Sequence, residues 1–159
     1  MRLVPPPNSE EKDLVYTPDT LAQHIIAHYK PTGRVLDPCR GHGAFYNHLP
    51  EPKSWCEISE GRDFFQHTEP ADWIISNPPW SKIRDFMLHS MKIAPNIVYL
   101  TTINHYSTRR RINDLKSNNF SLKEILFVPT PPKPWPQSGF QLGALHFQAH
   151  YTGPVTLSW

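Results

Sequence analysis

The sequence predicts an α/β fold, a doubly wound and mostly parallel sheet that ends in an antiparallel hairpin and is abbreviated in one place. Three observations carry this. Short β-rich runs alternate with helically spaced apolar residues from Leu21 to Asn118, the pattern of a sheet covered by helices. Residues 34–37, 54–57 and Trp73–Ser76 each run straight into a polar or glycine-rich junction rather than a tight hairpin turn. The last two apolar runs, 122–128 and 142–151, are joined by a proline-rich loop and pair as a hairpin.

The bulk numbers suit this plan. A chain of 159 residues holds one domain with a real core and not two. Hydrophobic content is 38%, offset by 12% aromatic residues, which bury large areas each. Of eighteen prolines, three cluster at Pro5 to Pro7 and five between Pro129 and Pro136, marking a tail and a loop. Residues 1–15 are expected to form that tail, and residues 16–159 a single domain. A net charge of +2 neither suggests nor excludes nucleic acid. Cys39 and Cys56 lack metal-ligand spacing, as do the nine histidines, so no metal is expected and a reducing interior fits. No apolar run approaches the ~18 residues of a membrane span, and the N-terminus lacks a signal pattern; a cytoplasmic protein without a membrane partner is expected.

Thr17 is placed to cap a helix with Pro18 at its first position and Asp19 in its first turn. Leu21, Ile25, Ile26 and Tyr29 follow at helical spacing, and Pro31 and Gly33 end the run. The strand 34–37 leads into Asp37-Pro38-Cys39-Arg40-Gly41-His42-Gly43-Ala44-Phe45. A strand ending in an acid, then Gly-x-Gly and a helix, is either a plain junction or a cradle where backbone approaches a ligand. The third glycine of the dinucleotide fingerprint is missing. Glu57 ends a second strand about 20 residues after the first acid, where such folds receive ribose hydroxyls; otherwise it is a solvated strand-end acid. Between Glu57 and Asp63 there is no room for a helix, so a crossover is abbreviated here, with Phe64-Phe65 as the stub of an edge strand.

Trp73–Ser76 delivers Asn77-Pro78-Pro79-Trp80. The prolines fix φ and remove two donors, and Asn77 is pushed to extended geometry by the proline after it. The corner offers an amide, bare carbonyls and an aromatic ring, a set that suits a planar group bearing an exocyclic amine. Ser81 is placed to cap a helix carrying Ile83, Phe86, Met87 and Met91. Asn96–Thr102 reads as a central strand. The basic stretch 107–118 holds Arg109, Arg110 and Arg111, either a solvated helix face or a phosphate contact. In the loop 129–140, Lys133 and Trp135 are read as closing over the rim toward a substrate, with Phe140 in the core. Cys39 is read as a packing residue. The strand ends gather Asp37, Glu57 and Asn77 on one rim, where ligands of such sheets bind.

Together these residues resemble the class I S-adenosylmethionine-dependent amino-methyltransferases, in particular the N6-adenine DNA methyltransferases. The likeness covers residues 16–105, and more loosely the final hairpin. It rests on the order of Tyr16-Thr17-Pro18, Asp37-Pro38 with Gly41, Gly43 and Phe45, then Glu57, Asp63-Phe64 and Asn77-Pro78-Pro79-Trp80. The resemblance implies a Rossmann-like fold with S-adenosylmethionine as cofactor. It implies that Tyr16, Thr17 and Pro18 flank the methionine end, and that Asp37, Pro38, Gly41, Gly43 and Phe45 form the loop holding its amino-acid and ribose parts. Glu57 would take the ribose hydroxyls, with Asp63 and Phe64 at the adenine. Asn77 and the Pro78 carbonyl would accept from the target amine beside Pro79, and Trp80 would stack on the base. Arg109, Arg110, Lys133 and Trp135 are the candidate substrate contacts. The implied substrate is adenine in DNA, with RNA adenine, guanine N2 or a protein glutamine as rivals, and a non-catalytic binding module or complex subunit as a rival of another class. Trp80 departs from the more usual Tyr or Phe. No separate target-recognition domain is expected, so specificity would come from loops or a partner protein, or be minimal.

Overall fold

The computed structural model describes residues 16–159; the expected tail, 1–15, lies outside the described residues. Pro18-Asp19 opens helix α1, Asp19–Tyr29, which buries Leu21, Ala22 and Ile25. It starts one residue later than expected. Pro18 itself takes the cap position in extended geometry with no side-chain cap bond, so the Thr17 hydroxyl is free for another partner. Helix α1 ends on Lys30, whose φ of 48° lets its N–H return to the Ile26 carbonyl.

Strand β1 is Val35–Asp37, buried throughout. The glycine loop after it is not followed by the expected helix. A single 3₁₀ turn, Tyr46–His48, carries the chain to β2, Lys53–Trp55. Beyond β2 the structure is also abbreviated. Glu57 and Arg62 bond each other's backbone at 2.9 and 3.1 Å, closing a small turn around Ile58–Glu60 in which Gly61 takes a φ of 76°. Phe64-Phe65 is not an edge strand but part of a 3₁₀ turn, Phe64–Gln66, begun by the Asp63 carboxylate accepting from the Phe65 N–H. Its ring contacts with Phe86 and His89 explain why: a strand there would pull Phe64 off the core.

Strand β3 is Trp73–Ser76 and β4 is Asn96–Thr102, both bounded as read from the sequence. Between them lies helix α2, Ile83–Ile93, preceded by a 3₁₀ turn, Trp80–Lys82. Lys82, not Ser81, occupies the cap position, because the turn continues directly into the helix. Helix α3, Arg109–Ser117, follows β4, with the Thr108 side chain accepting from the Arg111 N–H. Strands β5, Phe120–Phe127, and β6, Leu142–Ala149, form the expected antiparallel pair, and a short β7, Thr156–Ser158, adds an unexpected parallel edge to β5.

The sheet order is β2-β1-β3-β4-β6-β5-β7. The four strands from β2 to β4 are parallel, and β6 enters antiparallel between β4 and β5. One face packs Leu36, Ile74, Ile97 and Tyr99 against α2 and α3 through Phe86, Met87 and Leu115. The other packs Val35, Ile75, Val98 and Leu100 against α1 through Leu21, Ala22 and Ile25. With helices on both faces, the carboxyl ends of β1, β2, β3 and β4 open on one rim.

Candidate active site

The rim begins at Asp37. Its side chain is 1% exposed, so it contacts protein rather than solvent. One carboxylate oxygen accepts from the Ser76 hydroxyl at 2.6 Å and from the Cys39 N–H at 3.2 Å. Burial pushes the carboxyl up to about 6, against the lowering effect of the Ser76 and Cys39 bonds. Cys39 lies 3.0 Å from the Ser76 oxygen and donates its S–H to the Asn77 carbonyl at 3.2 Å. Burial, and then the nearby Asp37 charge, push that thiol up, so it remains a protonated donor rather than a nucleophile. The chain Asp37, Ser76, Cys39, Asn77 therefore stitches the ends of β1 and β3 together.

The glycine loop needs its glycines. Gly41 has a φ of 55° and Gly43 a φ of 91°, a region L side chains rarely adopt. A Cβ on Gly41 would come within 3.1 Å of the Tyr16 ring; Tyr16 covers the loop and packs edge-on against His42. The Gly41 N–H donates to Glu57 at 2.9 Å, and the second Glu57 oxygen accepts from the Ser59 N–H and hydroxyl. Burial pushes the Glu57 carboxyl up, but the Ser59 and Gly41 bonds and the Arg40 charge outweigh it and hold the group below its ordinary value. Glu57 thus stays ionised beside the loop, half-buried with its edge on the rim. Arg40 and Arg62 stack on Trp55 from 3.8 and 3.9 Å, stiffening the same margin. Ile58, 70% exposed, lies between Glu57 and Asp63; sequence reading passed over it because nothing local marks an apolar residue in a turn as exposed.

Asn77 stands across from the loop. Its Nδ2 donates to the buried Thr17 hydroxyl at 3.2 Å, and its Oδ1 accepts from the Trp80 indole N–H at 3.1 Å. The same N–H reaches the Leu100 carbonyl at 3.2 Å. Pro78 is buried and Pro79 half-buried, making the corner rigid. The half-buried Trp80 ring has His105 at 5.9 Å and Trp135 at 6.0 Å. Burial first, then Arg111, lower the His105 pKa, keeping that ring neutral.

Several expectations change here. Trp135 is 4% exposed and packs in the core, so it is a wall behind Trp80 and not a substrate contact. Phe140, expected in the core, is 57% exposed. Trp135 packs inward against Trp80 and the second core cluster, while Phe140 follows Gly139, whose φ is 80°, at the loop's exposed end. Phe45 and Phe64 are core residues at 3% and 2% exposure, and so shape the loop and turn that carry the polar groups. Lys133, Arg109 and Arg110 are exposed, and Arg111 is half-buried. Thr17, Ser76 and Cys39 form bonds no spacing rule foretold, since their partners lie 37 to 60 residues away.

No family model matches the sequence, and no curated protein matches it. Solved structures do. A protein from Pyrococcus horikoshii proposed to be an RNA methyltransferase superposes with a TM-score of 0.64 at 14% identity, over 84% of this chain and 83% of its own. A proposed class I S-adenosylmethionine-dependent methyltransferase from Listeria monocytogenes gives 0.68 at 14% identity, over 91% of this chain and 65% of its own. The modification subunit of a proposed type I restriction enzyme from Vibrio vulnificus gives 0.60 at 14% identity, over 88% of this chain and 45% of its own. The chain thus spans less than two thirds of the last two. At such identities the likeness lies in the fold: the chain has the fold of the class I S-adenosylmethionine-dependent methyltransferases.

Proposed function

We propose that this chain is an S-adenosylmethionine-dependent methyltransferase acting on the exocyclic N6 amine of adenine in DNA. The observation that carries the reading is the meeting, on one rim, of a positive-φ glycine loop tied to an ionised Glu57 and a rigid corner presenting the Asn77 amide oxygen. The residues fit the cofactor. Gly41 and Gly43 add no side chains of their own to the loop, Tyr16 covers it, Glu57 keeps one open acceptor position on the oxygen bonded to Gly41, and the exposed Ile58 beside it would offer a purine ring an apolar neighbour. Bound there, S-adenosylmethionine supplies an electrophilic methyl group on a sulfonium.

Asn77 Oδ1 and the Pro78 carbonyl each accept one N–H of the target amine. That pair favours a pyramidal nitrogen, whose lone pair is otherwise conjugated into the ring, and stabilises the positive charge that develops there. On accepting the methyl group the target nitrogen would carry the positive charge that these two acceptors stabilise, and would then lose a proton to water. Positioning supplies much of the remainder. Trp80 offers a face to the target base, a stacking contact worth roughly 1–3 kcal/mol. The first turn of α3 favours nucleic acid over a protein amide: it carries Arg109, Arg110 and Arg111 and no acid, at the positive end of the helix dipole. A separate specificity protein is a fitting partner, as the Vibrio neighbour is itself a subunit.

The test is methyl transfer from labelled cofactor to duplex DNA, single-stranded DNA, RNA and protein extract. Label in N6-methyladenine of DNA is expected, and Asn77→Ala should lower kcat by about 10²–10³ while calorimetric cofactor binding survives. Label confined to RNA or protein sinks the DNA reading, and cofactor binding without transfer to any acceptor favours a binding module.

A further inference from the structure

The Asn77 amide has a problem that an acid in its place would not have. Its oxygen and NH₂ are nearly equal in size and exchange by a half-turn, yet only the oxygen accepts a hydrogen bond. A flipped amide would present two donors to an amine that is itself a donor.

We propose that Trp80 and Thr17 are positioning residues: Trp80 locks the Asn77 amide in the orientation that turns its oxygen toward the substrate, and Thr17 holds that amide in place. The inference rests on the reading of Asn77 as an amine acceptor. The two contacts are not equivalent. The Thr17 hydroxyl both donates and accepts, so it bonds either orientation of the amide and fixes only the position of that end. The Trp80 indole N–H donates only. At 3.1 Å from Oδ1 it permits one orientation, because a half-turn would set it against the NH₂ group. Its own aim is fixed by the Leu100 carbonyl in the middle of β4. Oδ1 has a second lone pair, which stays available to a target N–H.

This assigns the aromatic residue of the corner a second task, separate from stacking. Phenylalanine stacks but carries no donor. Tyrosine carries a hydroxyl that donates and accepts, and so does not discriminate. Thr17 in turn joins the segment flanking the glycine loop directly to the amine-binding group, across 60 residues of sequence. The cofactor flank and the acceptor are therefore one hydrogen-bonded unit.

The test reads the amide itself. The Asn77 side-chain NH₂ signals, identified in nitrogen–proton spectra by their loss in Asn77→Ala, should form one sharp pair in the wild type. Trp80→Phe should double or broaden them. It should also lower kcat by about twofold, the loss when two orientations are equally populated, with cofactor affinity unmoved. Thr17→Val should speed solvent exchange of the same protons and Thr17→Ser restore it, which keeps the test open should Trp80→Phe fail to fold. A single sharp pair in folded Trp80→Phe, or Thr17→Val exchange equal to wild type, overturns the inference. The spectra decide it without turnover, so absence of methyl transfer by the wild type would count against the methyltransferase reading alone.

Discussion

Asp37 permits a quantitative test of how the rim is built. Its carboxyl sits 1% exposed at the end of β1, and burial pushes it from 3.8 to about 6. At 1.36 kcal/mol per pH unit, that difference of about 2.2 corresponds to ~3 kcal/mol. The sign follows from proton uptake. Between the two values the folded protein holds the proton and the unfolded chain does not, so folding is favoured at low pH and loses stability as pH rises through about 6. Roughly 2 of the ~3 kcal/mol should disappear between pH 4.5 and 7.5.

The wild-type curve alone will hide this. His146 is buried between Trp73, Tyr29 and the Asn96 amide, and burial, then Lys123, lower it to about 4. A histidine depressed from 6.5 gains stability over the same interval, by a similar amount and with opposite sign. The perturbation must therefore be Asp37→Asn, which keeps an acceptor for the Cys39 N–H and removes the titration. Urea unfolding of both proteins at intervals from pH 4.5 to 7.5 gives the difference curve. Wild-type stability relative to Asp37→Asn should fall by about 2 kcal/mol across the range, whatever constant offset the substitution introduces. Parallel curves would mean that the carboxylate is hydrated in solution and that the Asp37–Ser76–Cys39 network does not exclude water.

Two further substitutions probe the rim. Gly41→Ala places a Cβ at a φ of 55° and 3.1 Å from the Tyr16 ring; a loss of about 1–2 kcal/mol in unfolding free energy should accompany weaker cofactor binding by calorimetry, and an unchanged protein would show that the loop is looser than its contacts indicate. Replacing Arg109, Arg110 and Arg111 together by alanine should lower the salt dependence of DNA binding by as much as about 3 in the log–log slope, at roughly one phosphate per arginine. The same variant should unfold no more easily than wild type, since it relieves three like charges at the positive end of α3; unaltered slopes would return the arginines to the role of a solvated face.

What could be read from the sequence follows from which forces act locally. β3 and β4 were bounded to the residue because buried parallel strands are written as unbroken apolar runs. The rim could be inferred too, since Asp37, Glu57 and Asn77 each fall at the end of a β-rich run and such sheets bind ligands at those ends. β7 could not: Thr156–Ser158 is mostly exposed, and its place depends on the edge that β5 leaves open. Trp135 and Phe140 exchanged places because an aromatic in a proline-rich loop carries no periodicity to say which way it faces. The finer chemistry of Asn77 was the least accessible. A rigid corner with an amide follows from proline geometry alone, but the position of that amide depends on a hydroxyl 60 residues earlier and its direction on an indole three residues later. In the proposed reading it is therefore the donor-only indole of Trp80, where Tyr or Phe is more usual, that sets which way the Asn77 amide faces in this chain.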